Sequence, residues 1–198
     1  CNSWKFSHQL SSRNFEQLFY DPELVKSITS ETDWFFSTEG IEWSVKQAQP
    51  HRRGMLIHGP PGTGKTSFVV ALASKYHRPI YELDGLASMS PKDLCSLIMS
   101  VPRGSIILMD EFDKSYTKIS EPKKEGSKEA DTISTADINH VLDSTTSYEG
   151  SLLIATANKT DCFPPGDPIR RSRRLNKWYN ISLMSSFVLK TMISSLYG

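Results

Sequence analysis

Cysteine is scarce in this chain. Cys1, Cys95 and Cys162 are the three in 198 residues, far apart and with no C-x-x-C pair. That argues against a zinc site or a disulfide framework and points to a reducing compartment. Long apolar runs are missing too: nothing approaches the uninterrupted length of a membrane span, and no cleavable signal is visible. Charge of one sign is also lacking, since 23 Lys and Arg face 22 Asp and Glu for a net charge of +1. The composition therefore gives no push toward nucleic acid or an anionic membrane. The length suits one domain with a real core. The chain opens on Cys1 rather than a methionine, so the expectation is a fragment or processed product, with targeting signals or anchors missing from it.

What the chain does have is a stretch that organises the rest: Met55-Leu56-Ile57-His58-Gly59-Pro60-Pro61-Gly62-Thr63-Gly64-Lys65-Thr66. A short apolar run enters a glycine-rich turn, and an apolar-periodic segment follows. The spacing Gly-x-x-x-x-Gly-Lys-Thr in that setting reads as a phosphate-binding P-loop. Glycines let the backbone turn tightly and aim N–H groups at an anion, and the following helix offers its positive end to the same anion. Residues Gly59, Pro60, Pro61, Gly62, Thr63, Gly64, Lys65, Thr66 and Ser67 are the candidate nucleotide-binding set. Lys65 would reach the β- and γ-phosphates, and the Thr66 hydroxyl would bind Mg²⁺.

Around this motif the pattern alternates. Asp21-Pro22-Glu23 predicts a helix start, with Leu24, Val25 and Ile28 as its apolar face. Trp34, Phe35, Phe36 and Trp43 are expected to pack the core of a helical lead-in. His51-Arg52-Arg53-Gly54 reads as a solvated basic turn, with contact to the adenine side of a nucleotide as the alternative. Phe68, Val69, Leu72, Ala73 and Tyr76 recur at helical spacing. Ile80 to Leu83 predicts a strand, Ser90-Pro91 a helix start with Leu94, Leu97 and Ile98 inward, and Ser105 to Met109 a buried parallel strand. The polar run from Lys114 to Ala130 reads as a mobile surface loop. Ser134 and Asp137 resemble a capping box ahead of Ile138, Val141 and Leu142. Ser151 to Ala155 predicts one more buried strand. Strands alternating with such helices imply a parallel α/β sheet.

The strand at 105–109 ends in Asp110-Glu111. Ligands of open parallel sheets sit beyond the carboxyl ends of the strands, so both acids are expected to face the P-loop. Asp110 is a candidate for holding Mg²⁺ and Glu111 a candidate general base for water. Asp113 reads as structural.

Farther on come Thr156-Ala157-Asn158, then Arg170-Arg171-Ser172-Arg173-Arg174. With the P-loop and the acidic pair, this order resembles the AAA family of ATPases. Gly59 to Thr66 matches Walker A, Ile106 to Glu111 Walker B, Asn158 sensor 1, and the arginine cluster the second region of homology. Within the family the chain is most similar to the branch of the mitochondrial inner-membrane chaperone for respiratory complex III assembly. Arg52-Arg53-Gly54, Ser105-Ile106-Ile107-Leu108 and Asn139-His140-Val141-Leu142-Asp143 carry that likeness.

The resemblance implies an α/β P-loop NTPase core, the AAA large subdomain, over residues 15–183. A weakly ordered lead-in at 1–14 precedes it, and residues 184–198 follow as the remnant of a truncated or missing helical lid, with one short helix around 187–193. It implies ATP and Mg²⁺ as ligands, a homo-oligomeric ring, a protein client, and no nucleic acid. Membrane association would come only through segments absent from this chain, at the mitochondrial inner membrane if the branch holds. Asn158 would align the attacking water, and Arg171 with Arg174 would act on a neighbour's γ-phosphate. Ser172 and Arg173 replace the proline and glycine usual between those arginines, Asn176 replaces an aspartate, and Pro164-Pro165 looks inserted, so Arg170 or Arg173 could substitute. Asp84 to Ser90 offers no aromatic residue where many unfoldases carry a pore loop, which weakens a threading role. The alternatives are an ATP-binding switch without efficient turnover and a DNA-loading protein, the latter disfavoured by the neutral charge.

Overall fold

A computed structural model describes Trp4, Phe15 and residues 18–121, 132–144, 148–184 and 186–197. Five strands make one parallel sheet: β1 (Arg53–His58), β2 (Ile80–Glu82), β3 (Ile106–Met109), β4 (Leu152–Ala157) and β5 (Leu175–Asn180), in the order β2-β3-β4-β1-β5. The helices are α1 (Pro22–Phe36), α2 (Thr38–Lys46), α3 (Lys65–Lys75), α4 (Pro91–Met99), α5 (Phe112–Ser120), α6 (Thr135–Asp143) and α7 (Ser186–Tyr197).

The central strands are mostly apolar, because both faces of the sheet are covered. Successive side chains alternate between two cores. Leu56, Ile107, Met109, Leu153 and Ala155 pack under α4, α5 and α6 through Leu94, Phe112 and Ile138. Met55, Ile57, Ile106, Leu108 and Ile154 pack under α1 and α3 through Ile28, Phe35, Phe68 and Leu72. Burying each such side chain fully contributes about 1.5–3 kcal/mol, so a one-residue slip of any central strand would exchange the two cores and be strongly resisted.

The expected helix starts are present. Asp21 accepts the N–H groups of Glu23 and Leu24, with Pro22 at the first helical position. Ser90 accepts the Asp93 N–H, with Pro91 behind it. Ser134 and Asp137 form a reciprocal capping box.

Three expectations are corrected. Residues 114–120 belong to α5, not to a loop, because Phe112, Tyr116 and Ile119 recur at i, i+4 and i+7 and are buried; residues 122–130 of the expected loop lie outside the described residues. Of the aromatic group, Phe35 is in the core, but Trp34 and Trp43 are 37% and 47% exposed and pair edge to face at 5.6 Å. The basic segment entering β1 is not solvated, and it lies away from the P-loop. His51 and Arg52 are 8% and 7% exposed, at the strand end opposite the P-loop. His51 stacks on Phe35 and bonds the Ser44 hydroxyl and the Phe35 carbonyl. The Arg52 guanidinium donates to the carbonyls of Ser144 and Asp143, and Arg53 pairs with Glu31 at 3.0 Å. Both arginines there meet backbone or carboxylate oxygens, which is why they tolerate burial.

The lead-in expected at 1–14 lies outside the described residues apart from Trp4, whose indole nitrogen donates to Ser100 Oγ at 2.9 Å. Strand β5 was not anticipated, and α7 is longer than the short helix expected. Cys95 and Cys162 are free thiols. Among the described residues no helix is long and apolar enough to cross a membrane.

Two measurements follow from the packing around β1. A Cβ on Gly54 would lie 2.0 Å from the Arg174 carbonyl oxygen. Gly54→Ala must therefore push β5 away, with an expected loss of about 2–3 kcal/mol in urea unfolding. Burial holds the His51 pKa below its ordinary 6.5, against the pull of Phe35 O and Glu149 and with help from Arg53. A depressed folded value means full stability above about pH 6.5, lost as pH falls through the folded pKa. The drop in urea midpoint between about pH 7.5 and about pH 5.5 should shrink in His51→Gln.

Candidate functional site

The ends of three adjacent strands bring the expected residues together. β1 runs into the loop Gly59–Gly64, β3 into Asp110-Glu111, and β4, which lies between them, into Asn158. Gly62 and Gly64 have φ of 80° and 85°, left-handed values that favour glycine, and a Cβ on Gly62 would meet nothing within 4 Å. The loop thus leaves open room above its own backbone, and α3 begins at Lys65 with its N-terminal end facing that room.

Lys65 is 8% exposed. Its Nζ donates to the carbonyls of Gly59 and Pro60, each at 2.9 Å, and to Asn158 Oδ1 at 2.8 Å. Burial lowers its pKa, while Asp113, Asp110 and Glu111 pull it back up. The Thr66 hydroxyl donates to both Asp110 carboxylate oxygens, at 3.0 and 3.1 Å. One hydroxyl and one carboxylate side by side are the hard oxygen donors that Mg²⁺ takes alongside water and phosphate oxygens.

Thr156 was missed in the sequence. Its hydroxyl, 1% exposed, donates to Asp110 Oδ1 at 2.5 Å and accepts the Glu111 N–H at 2.9 Å. That N–H bond supports Glu111 in a left-handed conformation, φ 48° and ψ 41°, which costs a non-glycine residue about 1–2 kcal/mol. The turn aims the Glu111 side chain out of the sheet, where Lys114 Nζ holds Oε1 at 2.6 Å. Asp113 Oδ2 accepts the N–H groups of Asn158 and Lys159 at 3.1 Å each, and so fixes the turn that carries Asn158. The only hint of Thr156 in the sequence was its place two residues before Asn158. Nothing in one chain told its inward hydroxyl from an ordinary strand threonine.

A cavity of about 530 Å³ adjoins the P-loop, within the usual range for a small-molecule site. Pro61 to Gly64 and Ser67 line one wall; Tyr20, Asn180, Met184 and Met192 line others. The Tyr20 hydroxyl donates to the Gly64 carbonyl at 2.7 Å. This places the room beside the P-loop against the segment leading into α1, the end of β5 and α7, not against His51 to Gly54.

The arginine stretch is not brought to this site within the chain. Arg171 and Arg173 are exposed, whereas Arg174 is 4% exposed and bonded to Asp143 and Asn139. Arg170 donates to the Phe163 carbonyl and lies 3.8 Å over the Trp178 ring.

Thr156→Val keeps the side-chain shape but orphans the Glu111 N–H and removes a donor from Asp110. The expected outcome is a loss of about 2 kcal/mol, read by chemical denaturation, with the fold intact by circular dichroism.

Residues 55–183 match the family model of the ATPase family associated with various cellular activities (AAA). The chain is 30% identical over 168 residues to a probable mitochondrial chaperone, bcs1, of Schizosaccharomyces pombe, covering 83% of this chain and 36% of that protein. It is 26% identical over 220 residues to a probable mitochondrial chaperone, BCS1-B, of Dictyostelium discoideum, covering 98% and 47%. An AAA-ATPase of Arabidopsis thaliana is 36% identical over 101 residues, 51% of this chain and 22% of that protein. The chain thus spans less than half the length of these relatives. From the match across its P-loop, acidic pair and Asn158, the chain belongs to the AAA family of ATPases.

Proposed function

We propose that residues 15–183 form a core that binds Mg·ATP and hydrolyses it to ADP and phosphate. The observation that carries this reading is the meeting of Lys65, Thr66, Asp110, Glu111 and Asn158 at the ends of β1, β3 and β4. The loop N–H groups and Lys65 would bind the phosphates, and Lys65 would exchange its three oxygen partners for phosphate oxygens of like character. Thr66 and Asp110 would hold the metal. Mg²⁺, when bound there, would supply positive charge to the phosphates. Glu111 would take a proton from water as its oxygen bonds the γ-phosphorus and the bond to the bridging oxygen breaks. Asn158, freed of Lys65, would orient that water.

We further propose that the site is completed by the arginine stretch of a neighbouring copy in a ring, with Arg171 the exposed member of the expected pair. The work would be remodelling or translocation of a protein partner. The two relatives described as mitochondrial chaperones support a mitochondrial setting. A second reading is an ATP-binding switch with slow turnover, favoured by the Lys114–Glu111 ion pair, which occupies the candidate base.

Lys65→Ala should abolish nucleotide binding by calorimetry. Phosphate release per chain should rise with protein concentration and fall at least tenfold in Arg171→Ala, since an arginine acting between subunits is worth ~10³ or more in turnover. Unchanged affinity in the lysine variant would refute the phosphate site. Tight ATP binding with flat, near-zero release would favour the switch.

A further inference from the structure

Four arginines stand within five positions, and their surroundings differ in kind. Arg174 spends nearly all of its donors inside its own chain. Nε donates to Asp143 Oδ1 at 2.8 Å and Nη2 to Asp143 Oδ2, while Nη1 donates to Asn139 Oδ1 and to the Pro168 carbonyl, each at 2.6 Å. Four of the five N–H donors of a guanidinium are thereby used. Asn139 and Asp143 are one turn apart on α6, so both side chains reach the same point.

The backbone around Arg174 is held as well. The buried Tyr148 hydroxyl donates to the Arg173 carbonyl at 2.7 Å. The Arg174 carbonyl rests against Gly54 of β1, where no Cβ would fit. Arg52, next to β1, donates to the carbonyls of Asp143 and Ser144 at the end of α6 and lies over the Tyr148 ring at 5.5 Å. The Arg174 guanidinium holds the Asp143 carboxyl below its ordinary range.

We propose that Arg174 is a positioning residue, a clamp to Asp143 and Asn139 that fixes the loop presenting Arg171, and not one of the arginines given to a neighbour. Sending its guanidinium to another subunit would break four bonds and leave the amide oxygen of buried Asn139 short of a donor. Arg170 is committed to Phe163 and Trp178. Among the described residues, no hydrogen bond or ion pair holds the side chains of Arg171 and Arg173. Arg171 stands three residues before the clamp, on the solvent side of a turn tied down at Pro168, Arg173 and Arg174. The part of this inference that concerns Arg171 rests on the ATPase reading; the clamp does not.

The test has two arms on the full chain. The first is thermal melting without nucleotide at low concentration. Arg174→Ala and Asp143→Ala should each lower Tm by roughly 5 °C, and the double variant should fall no further than the worse single one. Arg171→Ala should melt as the parent does. An unmoved Tm in Arg174→Ala, or fully additive losses, overturns the clamp. The second arm, run below all the melting points, separates positioning from bulk stability. Arg174→Lys, which keeps the charge but loses the fork, should cut phosphate release several-fold at high protein concentration. Its affinity for a fluorescent ATP analogue should stay that of the parent. The exchange Arg174→Asp with Asp143→Arg should recover turnover relative to Arg174→Asp alone. Failure of the exchange, together with a parental Tm in Arg174→Ala, assigns Arg174 to the nucleotide instead. If the parent chain itself releases no phosphate, the ATPase reading falls and the melting arm alone decides the clamp.

Discussion

The Asp110 carboxylate is the contact on which the candidate site depends. It sits at the end of β3, yet it accepts hydroxyls from α3 and β4, through Thr66 and Thr156. A carboxylate with charge-assisted bonds to two other elements ties the phosphate loop, the acidic turn and the Asn158 strand into one frame. Thr156 adds a second function by accepting the Glu111 N–H, so the strained turn behind the candidate base is held by the same hydroxyl. Asp113 does comparable work on the other side, fixing the turn of Asn158 through two backbone N–H groups. Lys65 then joins that frame through Asn158.

Strand β1 links this frame to the opposite end of the sheet. Its carboxyl end becomes the phosphate loop. Its amino end lies among Arg52, Arg174 and the last turn of α6, where cations are buried only because carbonyls and a carboxylate meet them. A central parallel strand buried on both faces is stiff, because every side chain along it is packed. The phosphate loop and the loop bearing Arg171 are therefore anchored to one rigid element.

Much of the fold was legible because several signals agreed. Pro at a first helical position, a capping Ser or Asp, and apolar runs of strand length all pointed to the same elements, and the structure has them. Helix α5 was not legible. Its apolar residues are only three among Lys, Ser and Thr, and the polar run after it has the composition of a loop. Strand β5 lies at a sheet edge with mostly half-buried residues, so it carries neither the continuous apolar run of β4 nor a clean alternation. Trp34 and Trp43 were expected inside, but periodicity ranks a residue by type and spacing, not by whether another element covers it.

What the sequence by itself determined is the chemistry offered at the candidate site: a glycine turn for an anion, a lysine and a hydroxyl opening the next helix, and two acids and an amide at strand ends. Those follow from local spacing, because a phosphate loop and an acidic strand end are made by residues adjacent in the chain. Only the tertiary structure decided which partners those groups take. Thr156 lies 46 residues from Asp110, Asp143 lies 31 from Arg174, and Tyr20 lies 44 from Gly64. Such long-range bonds leave no periodic trace. They depend on how strands are ordered and which faces helices cover, and so the four arginines, equal in the sequence, became two held inside and two exposed to solvent.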